Sequence, residues 1–188
     1  MKKLFILSMA LMLMLPTLKA QDDELEIEEI EFGKNNISLF LSDVVLTRLS
    51  FEYEHIFGDQ GNMSINIPVS VALSEVDDVY GDVVKWWAGI GMKLYPTGQG
   101  KIRYFVGPEM RIISASDTFY DYHENYNKET TEDMIHTAFL LNNGFIYEPA
   151  EHFIFSVNLG VGLISRDQKS NDRIEPLFAP SVRMGFRF

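Results

Sequence analysis

The sequence has 188 residues, a formal net charge of -11 and no cysteine. Its length suits one domain, and the lack of cysteine excludes disulfides, thiol catalysis, cysteine-ligated metal and a lipid-modified N-terminal cysteine. The acidic balance argues against a DNA or RNA partner, because nucleic-acid binding needs a basic surface that replaces counterions.

The first residues follow the order of a secretory signal peptide. Lys2 and Lys3 precede an apolar run from Leu4 to Leu15, and Ala20 precedes the expected cleavage site. The run is shorter than the roughly 20 residues that a membrane-spanning helix needs. We therefore predict a signal peptide over residues 1–20 and export from the cytoplasm.

An acidic N-terminal tail is predicted over residues 21–33. It carries seven carboxylates, at Asp22, Asp23, Glu24, Glu26, Glu28, Glu29 and Glu31. Such a charge run is typical of a solvated tail. The apolar residues Leu25, Ile27 and Ile30 between the charges leave a short strand or a partner contact open.

From Lys34 onward apolar and polar residues alternate with period two, which places alternate side chains on opposite faces of a strand. The alternation predicts eight strands, at residues 35–43, 48–57, 62–73, 83–95, 101–113, 134–147, 152–164 and 177–188. Each is long enough for a tilted membrane strand of about 9–11 residues. Strands of soluble domains are more often about five or six residues long, so length favours a membrane barrel.

The predicted connections alternate between short and long. Short turns follow Phe57, Tyr95 and Tyr147, whereas longer connections follow Leu73 and Ile164 and the longest covers residues 114–133. Outer-membrane barrels have this arrangement, with short periplasmic turns and longer external loops. The first external connection, near residues 42–47, departs from the pattern because it is short and apolar.

The two faces of the predicted strands differ in chemistry. One face is apolar and is expected to point outward; it includes Val84, Trp86, Ala88, Ile90, Met92 and Leu94 in the fourth strand. The opposite face combines glycines with charged residues, and an eight-stranded barrel is narrow enough for side chains to fill it. We predict an interior charge network of Glu52, Glu54, Lys85, Lys93, Arg103, Glu109, Arg111 and Arg183.

Aromatic residues gather at the strand ends beside the short turns. This clustering predicts an aromatic girdle at a membrane interface, formed by Tyr53, Phe57, Tyr95, Tyr104, Phe145, Tyr147, Phe153, Phe155, Phe186 and Phe188. For any single residue, a role as a good strand former is the better explanation, but the clustering at one end favours the girdle.

The last strand, APSVRMGFRF, ends on Phe188 with apolar or aromatic residues at alternate positions before it, namely Val182, Met184 and Phe186. It is similar to the C-terminal signal by which outer-membrane barrels are recognised for insertion. Over residues 34–188 the layout resembles the small barrels of the OmpA transmembrane-domain and OmpX type. The resemblance implies an eight-stranded antiparallel up-and-down transmembrane β-barrel in the cell outer membrane. It also implies outer-membrane lipids and the barrel-assembly machinery as partners. The sequence shows no cofactor motif, and we predict no cofactor.

Catalytic and metal sites are weakly supported. Glu52 and Glu54 share the inward face, where an acid–base pair is possible in principle but salt bridging is favoured. His152 and Ser156 are both expected inward, yet about 13 Å apart at roughly 3.3 Å per residue, too far for a hydrogen bond. The acidic connections at 75–82 and 117–133 are expected to be solvated; Ca²⁺ or Mg²⁺ binding is the alternative.

The longest connection contains Phe119, Tyr120, Tyr122 and Tyr126. Aromatic residues beside polar groups form a common contact surface, but these rings can equally pack on one another. We predict a non-enzymatic barrel that is structural, or that binds an extracellular partner through its loops. The alternatives are a transport barrel for small or hydrophobic solutes, an outer-membrane lipid-modifying enzyme, and a soluble periplasmic carrier with its faces inverted.

Overall fold

The structure, a computed structural model, describes residues 33–58, 61–74, 83–123, 126–166 and 173–188. From 117 to 123 and from 126 to 130 it describes the backbone only. The predicted signal peptide, nearly all of the acidic tail and the acidic connection at 75–82 lie outside the described residues. Among the described residues, no helix is long and apolar enough to span a membrane.

Eight strands and one short helix make up the described chain. In order they are β1 (Asn35–Phe40), α1 (Leu41–Val45), β2 (Arg48–Phe57), β3 (Met63–Ala72), β4 (Val83–Leu94), β5 (Ile102–His123), β6 (Tyr126–Ala150), β7 (Phe153–Arg166) and β8 (Arg173–Arg187). Each strand pairs antiparallel with the next, and β1 pairs with β8 to close the barrel. The predicted eight-stranded antiparallel up-and-down barrel is confirmed.

The strand alternation separates an apolar exterior from a mixed interior. On β7, for example, Phe155, Val157, Leu159, Val161 and Leu163 are exposed, whereas the residues between them point inward. The connections β2–β3, β4–β5 and β6–β7 lie at the same end of the barrel as Phe188, which we call the short-turn end. The opposite end is the long-connection end.

The predicted long loop at 114–133 is wrong, because most of it extends β5 and β6 as a hairpin. The two strands pair from Ile102 and Tyr147 up to His123 and Tyr126. In the described ladders the pairing of β4 with β5 ends at Ser116, and the pairing of β6 with β7 ends at Thr137. Residues 117–123 and 126–132 therefore pair only with each other. At roughly 3.3 Å per residue, this two-stranded ribbon is about 23 Å long. The segment is rich in Tyr and Thr, which favour strands despite its charge.

The first strand is shorter than predicted. It ends at Phe40, and the chain then forms α1 and a turn in which Thr47 has a φ of 55°. The turn is closed by the amide N of Leu46, which donates to the carbonyl O of Asp43 at 3.0 Å. The predicted strand over 35–43 therefore extends three residues too far, and the short first connection is helical.

A β-bulge in β4 shifts which residues point inward. The register with β5 slips between Val84 and Trp86, so that Val84 is buried and Lys85 is exposed. The predictions that Val84 points outward and Lys85 points inward are wrong, because a bulge adds a residue to one strand and breaks strict alternation. Tyr95 is also buried inside the barrel and does not belong to the predicted girdle.

Candidate functional site: the filled barrel interior

The centre of the barrel is crossed by four charged side chains from three strands. Lys93 Nζ lies 2.6 Å from Glu52 Oε1 and 3.0 Å from Glu54 Oε2, and Arg183 Nη1 lies 2.6 Å from Glu52 Oε2. All four residues are almost fully buried. We call this group the central network. Residues that are two positions apart on a strand share a face, so β2 presents both carboxylates to the lumen.

Neutral donors complete the hydrogen bonding of the two carboxylates. Glu54 accepts from Asn36 Nδ2 at 3.0 Å, from Ser64 Oγ at 2.5 Å and from the Tyr95 hydroxyl. Glu52 accepts from Asn66 Nδ2 at 2.9 Å. A catalytic base needs an oxygen that can accept a proton from a substrate. The saturated geometry therefore favours salt bridging over an acid–base pair.

A second group continues the network toward β6 and β7. Arg111 pairs with Glu109, which also accepts from Asn142 Nδ2 at 2.8 Å. Asn158 Nδ2 donates to Asn142 Oδ1 at 3.0 Å. Ser181 joins the two groups, since it accepts from Arg183 Nε at 3.1 Å and lies 3.5 Å from Asn158 Nδ2. The polar network therefore reaches around the lumen at mid-height.

A third group lies at the short-turn end. Glu148 Oε2 is shared by Arg103 Nη1 at 2.8 Å and Arg187 Nη1 at 3.2 Å. Arg187 also donates to Gln99 Oε1 at 3.1 Å and to the carbonyl O of Gly33 at 2.6 Å. Glu148 and Arg187 are not among the predicted interior residues. Arg187 lies on the same face of β8 as Arg183, so strand alternation carries a signal for it, whereas Glu148 falls in the turn predicted after Tyr147.

An apolar cluster occupies part of the interior toward the long-connection end, beside buried polar residues that include Ser50, Ser70 and His136. Its buried members, which we call the upper apolar cluster, are Phe40, Val84, Trp87, Ile113, Ala115, Ala138 and Ile164, with Leu177 packed against them. Two guanidinium groups mark its lower boundary: Arg111 lies 4.1 Å from the Trp87 ring centroid and Arg183 lies 4.2 Å from that of Phe40. Cation–π contacts of this kind are favourable when desolvated. A second buried apolar cluster, of Tyr95, Phe105, Ile146 and Ile154, lies toward the short-turn end, so apolar clusters flank the polar network at mid-height.

Seven of the residues predicted for the interior network lie in these groups, and Lys85 does not. The Lys85 side chain is 45% exposed, and its Nζ lies 2.5 Å from Asp133 Oδ1 at the long-connection end. The side chains of Phe119, Tyr120, Tyr122 and Tyr126 lie outside the described part of the structure, although their backbones belong to the hairpin. The insertion signal at Val182, Met184, Phe186 and Phe188 stays a prediction.

The exposed location of Lys85 and the buried location of Lys93 predict that the two lysines contribute differently to the free energy of unfolding. Lys85→Met is expected to change the free energy of unfolding by less than about 1 kcal/mol, because exposed ion pairs contribute little. Lys93→Met is expected to lower it by about 3–5 kcal/mol, because it removes the cation that two buried carboxylates share. Urea unfolding in lipid vesicles, followed by gel migration of the folded form, measures both. Equal losses in the two variants would contradict the assignment of Lys85 to the exterior.

His152 does not meet Ser156 as the lipid-modifying alternative would require. His152 occupies the turn after β6 with a φ of 69°, and its Nδ1 donates to the carbonyl O of Arg187 at 2.8 Å. Its predicted inward position is wrong, whereas Ser156 is buried inside the barrel. His136 is buried in β6 opposite Ile113, far along the strand from His152. Within the described ranges, no cluster of His, Asp or Glu has the arrangement of a metal site.

Comparison with known proteins adds a structural similarity. The barrel is similar to the N-terminal β-barrel domain of OprF from Pseudomonas aeruginosa, with 10% sequence identity and a TM-score of 0.46. The match covers 84% of this chain and 100% of that chain. No protein-family model matches the chain, and no curated protein matches its sequence. The eight-stranded fold is established by the strand ladders of this chain.

Proposed function

We propose that this chain is a non-enzymatic outer-membrane β-barrel, structural or adhesive, whose contacts with partners are made by the β5–β6 hairpin. The barrel wall would lie in lipid, and the hairpin would extend from its external end. A rigid scaffold that presents an extended connection is a common arrangement for binding.

The observation that carries the membrane location is the inversion of the two faces. Large apolar side chains are exposed on every strand, whereas the network of carboxylates, guanidinium groups and Lys93 is buried inside. A water-soluble protein rarely exposes so continuous an apolar surface. A membrane barrel needs one, because lipid penalises charge on its outer face. The soluble carrier, which requires apolar residues inside and charges outside, is therefore disfavoured.

Exposed aromatic rings at the short-turn end support the same orientation. Most of the predicted girdle points outward there, including Tyr53, Phe145, Tyr147, Phe153, Phe155, Phe186 and Phe188. Phe145 packs against Tyr104 with ring centroids 5.3 Å apart. Aromatic rings favour the headgroup level of a bilayer, so these residues would mark the periplasmic interface.

The first test is fractionation of cells that express the full-length chain, followed by gel migration of outer-membrane material with and without boiling. Recovery in the outer membrane with a shift on boiling is the expected result. Recovery as soluble periplasmic protein without a shift would overturn the membrane proposal and leave the soluble carrier.

An arginine on the outward face of the barrel tests the membrane location at a single residue. Leu159 points outward at the middle of β7, and Leu159→Arg is expected to destabilise the inserted barrel by about 2–4 kcal/mol. Ile174→Arg is the matched control, because Ile174 points outward near the long-connection end, where the expected cost is about 0–1 kcal/mol. Urea unfolding in vesicles measures both variants. A tolerated arginine at Leu159 would place this face in water.

The hairpin can be tested without disturbing the barrel. Replacing residues 117–132 with a two-residue turn removes the ribbon that pairs with no other described strand. We expect heat-modifiable migration to be unchanged. Cells that carry the shortened protein should no longer attach to one another, to glass or to immobilised matrix protein. Undiminished attachment of cells that carry the shortened protein would exclude the adhesive role and leave the structural one.

Transport and lipid modification are less well supported. The polar groups join strands on opposite sides of the lumen, so a solute path through the centre would require the central network to separate. An acyl-transfer or hydrolase site requires a histidine beside a hydroxyl and a carboxylate. His152 instead lies in a turn at the short-turn end, against a backbone carbonyl.

A further inference from the structure

One amide lies on the outward face of the barrel wall at mid-height. Asn143 points outward from β6, because the residues before and after it in the strand are buried. It pairs with Val106 of β5 and with Leu159, which points outward at the middle of β7. Every other outward residue of β6 from Phe139 to Tyr147 is apolar or aromatic. Asn143 is therefore a polar group at the level where the proposed membrane is hydrocarbon.

The barrel satisfies only part of the hydrogen bonding of this amide. Asn143 Nδ2 donates to the hydroxyl O of Tyr104 on β5 at 3.0 Å. The second hydrogen of Nδ2 and the lone pairs of Oδ1 have no partner among the residues that the structure describes, and Oδ1 is not enclosed by the protein. Lipid tails supply neither donor nor acceptor, and an unsatisfied polar group in hydrocarbon is costly. The wall at this point therefore favours a polar partner from outside the barrel.

A second copy of the chain supplies a partner of matched geometry. A carboxamide both donates and accepts, so two copies of Asn143 can pair through two N–H···O bonds. Two barrels inserted in the same direction are related by a twofold axis parallel to the barrel axis, and a contact across this axis brings identical residues together at the same depth. Asparagine side chains join membrane-spanning helices in a similar way. The amide thus favours a symmetric protein partner over a lipid tail.

The shape of the wall beside Asn143 suits the same partner. On one side is a shallow apolar groove of about 280 Å³, which we call the wall groove, lined mainly by Ile65, Ile90, Met92, Pro108, Met110 and Phe139. On the other side β7 presents an aliphatic ridge of Val157, Leu159 and Val161. Pro108 pairs with Leu141, and Leu141 pairs with Val161, so groove and ridge lie on one row of the sheet. A twofold axis at Asn143 exchanges the two sides and places the ridge of each copy against the groove of the other.

We propose that Asn143, the wall groove and the β7 ridge form the surface by which two copies of this chain pair side by side in the membrane. This inference rests on the membrane location proposed above. An interface that contains its own twofold axis closes at two copies, so the product is a dimer and not a chain of barrels. Both hairpins then extend from the same side of the membrane, which raises the avidity of any contact they make.

Disulfide cross-linking tests the position of the interface, since the chain has no cysteine of its own. Leu141→Cys introduces a thiol beside Asn143 on the outward face, and Phe51→Cys introduces one on β2, on the opposite side of the eight-stranded barrel. Each variant of the full chain is refolded into phosphatidylcholine vesicles, oxidised and boiled on a non-reducing gel. We expect a cross-linked dimer from Leu141→Cys and little from Phe51→Cys. Equal yields that fall together on dilution with lipid would indicate random collision and overturn the proposed surface.

Removing the amide tests what holds the two copies together. Asn143→Leu in the Leu141→Cys chain is expected to lower the dimer association constant by about tenfold, because one such bond in lipid changes an equilibrium by about threefold and the pair has two. The constant is measured from cross-link yield over a series of protein-to-lipid ratios. Leucine suits a lipid-facing position, so heat-modifiable migration should be unchanged. Ile37→Leu, an apolar exchange on the outward face of β1, is the matched control. An unchanged constant in Asn143→Leu would overturn the role of the amide.

Two further readouts separate the dimer from the membrane location and from other partners. Protein that neither floats with the vesicles nor shifts on boiling would overturn the membrane location and the dimer with it, whereas an inserted barrel that stays monomeric would overturn the dimer alone. In cells, a photo-crosslinking amino acid in place of Leu141 captures whatever lies beside Asn143, and mass spectrometry identifies it. Capture of a second copy is the expected result. Capture of a different protein, or of lipid alone, would overturn a second copy as the partner.

Discussion

Replacing Glu52 with alanine is expected to lower the free energy of unfolding by about 3–5 kcal/mol, because it leaves two buried cations without their shared carboxylate. Glu52 lies 2.6 Å from both Lys93 and Arg183. Attraction between such charges is strong away from water, and so is the cost of losing one partner. Urea unfolding of the protein in vesicles, followed by the gel migration of the folded form, measures the loss.

Two comparisons separate the network from a general effect of removing a glutamate. Glu151→Ala is the matched control, since the Glu151 side chain is 89% exposed and lies 3.7 Å from His152 in a turn, where little change is expected. In a Lys93→Met background, Glu52→Ala should cost less than in the natural chain, because one of the two cations has already been removed. Fully additive losses would show that Glu52 and Lys93 do not act as a pair.

Gly162→Ala is expected to destabilise the barrel by about 3 kcal/mol, because the new methyl group meets the backbone of the neighbouring strand. A Cβ on Gly162 would lie 1.9 Å from the carbonyl O of Phe139 and 2.8 Å from Leu140 Cα. Gly162 pairs with Leu140 on one side and Leu177 on the other, so neither neighbour can move without disturbing a ladder. The folded fraction after insertion and its urea midpoint report the effect.

The control for the glycine prediction is Gly100→Ala in the β4–β5 turn. A Cβ at Gly100 would meet only the carbonyl O of Ile102, at 3.8 Å, which is an ordinary contact. A change within about 0.5 kcal/mol is expected there. If both alanines are tolerated equally, close strand approach at Gly162 is not what requires glycine.

Most of the barrel was predictable from local sequence. Period-two alternation located β2, β3 and β4 to within a residue or two, because a half-buried strand imposes that period on its own side chains. The hairpin was not predicted because its charged residues are typical of a loop, whereas β5 and β6 continue to pair with each other beyond the barrel. Lys85 was misplaced because a bulge in β4 is set by its register with β5.

The sequence by itself determined the fold class, the apolar wall and seven of the charged residues that point inward, since each depends on alternation along a single strand. Only the tertiary structure decided which charges meet. Arg183 reaches Glu52 across 131 positions because β8 closes on β1. Glu148 joins Arg103 and Arg187 because β5 begins at the end of the barrel where β6 and β8 end. Strand parity is a local property, whereas partners across a lumen depend on the register of the whole closed sheet.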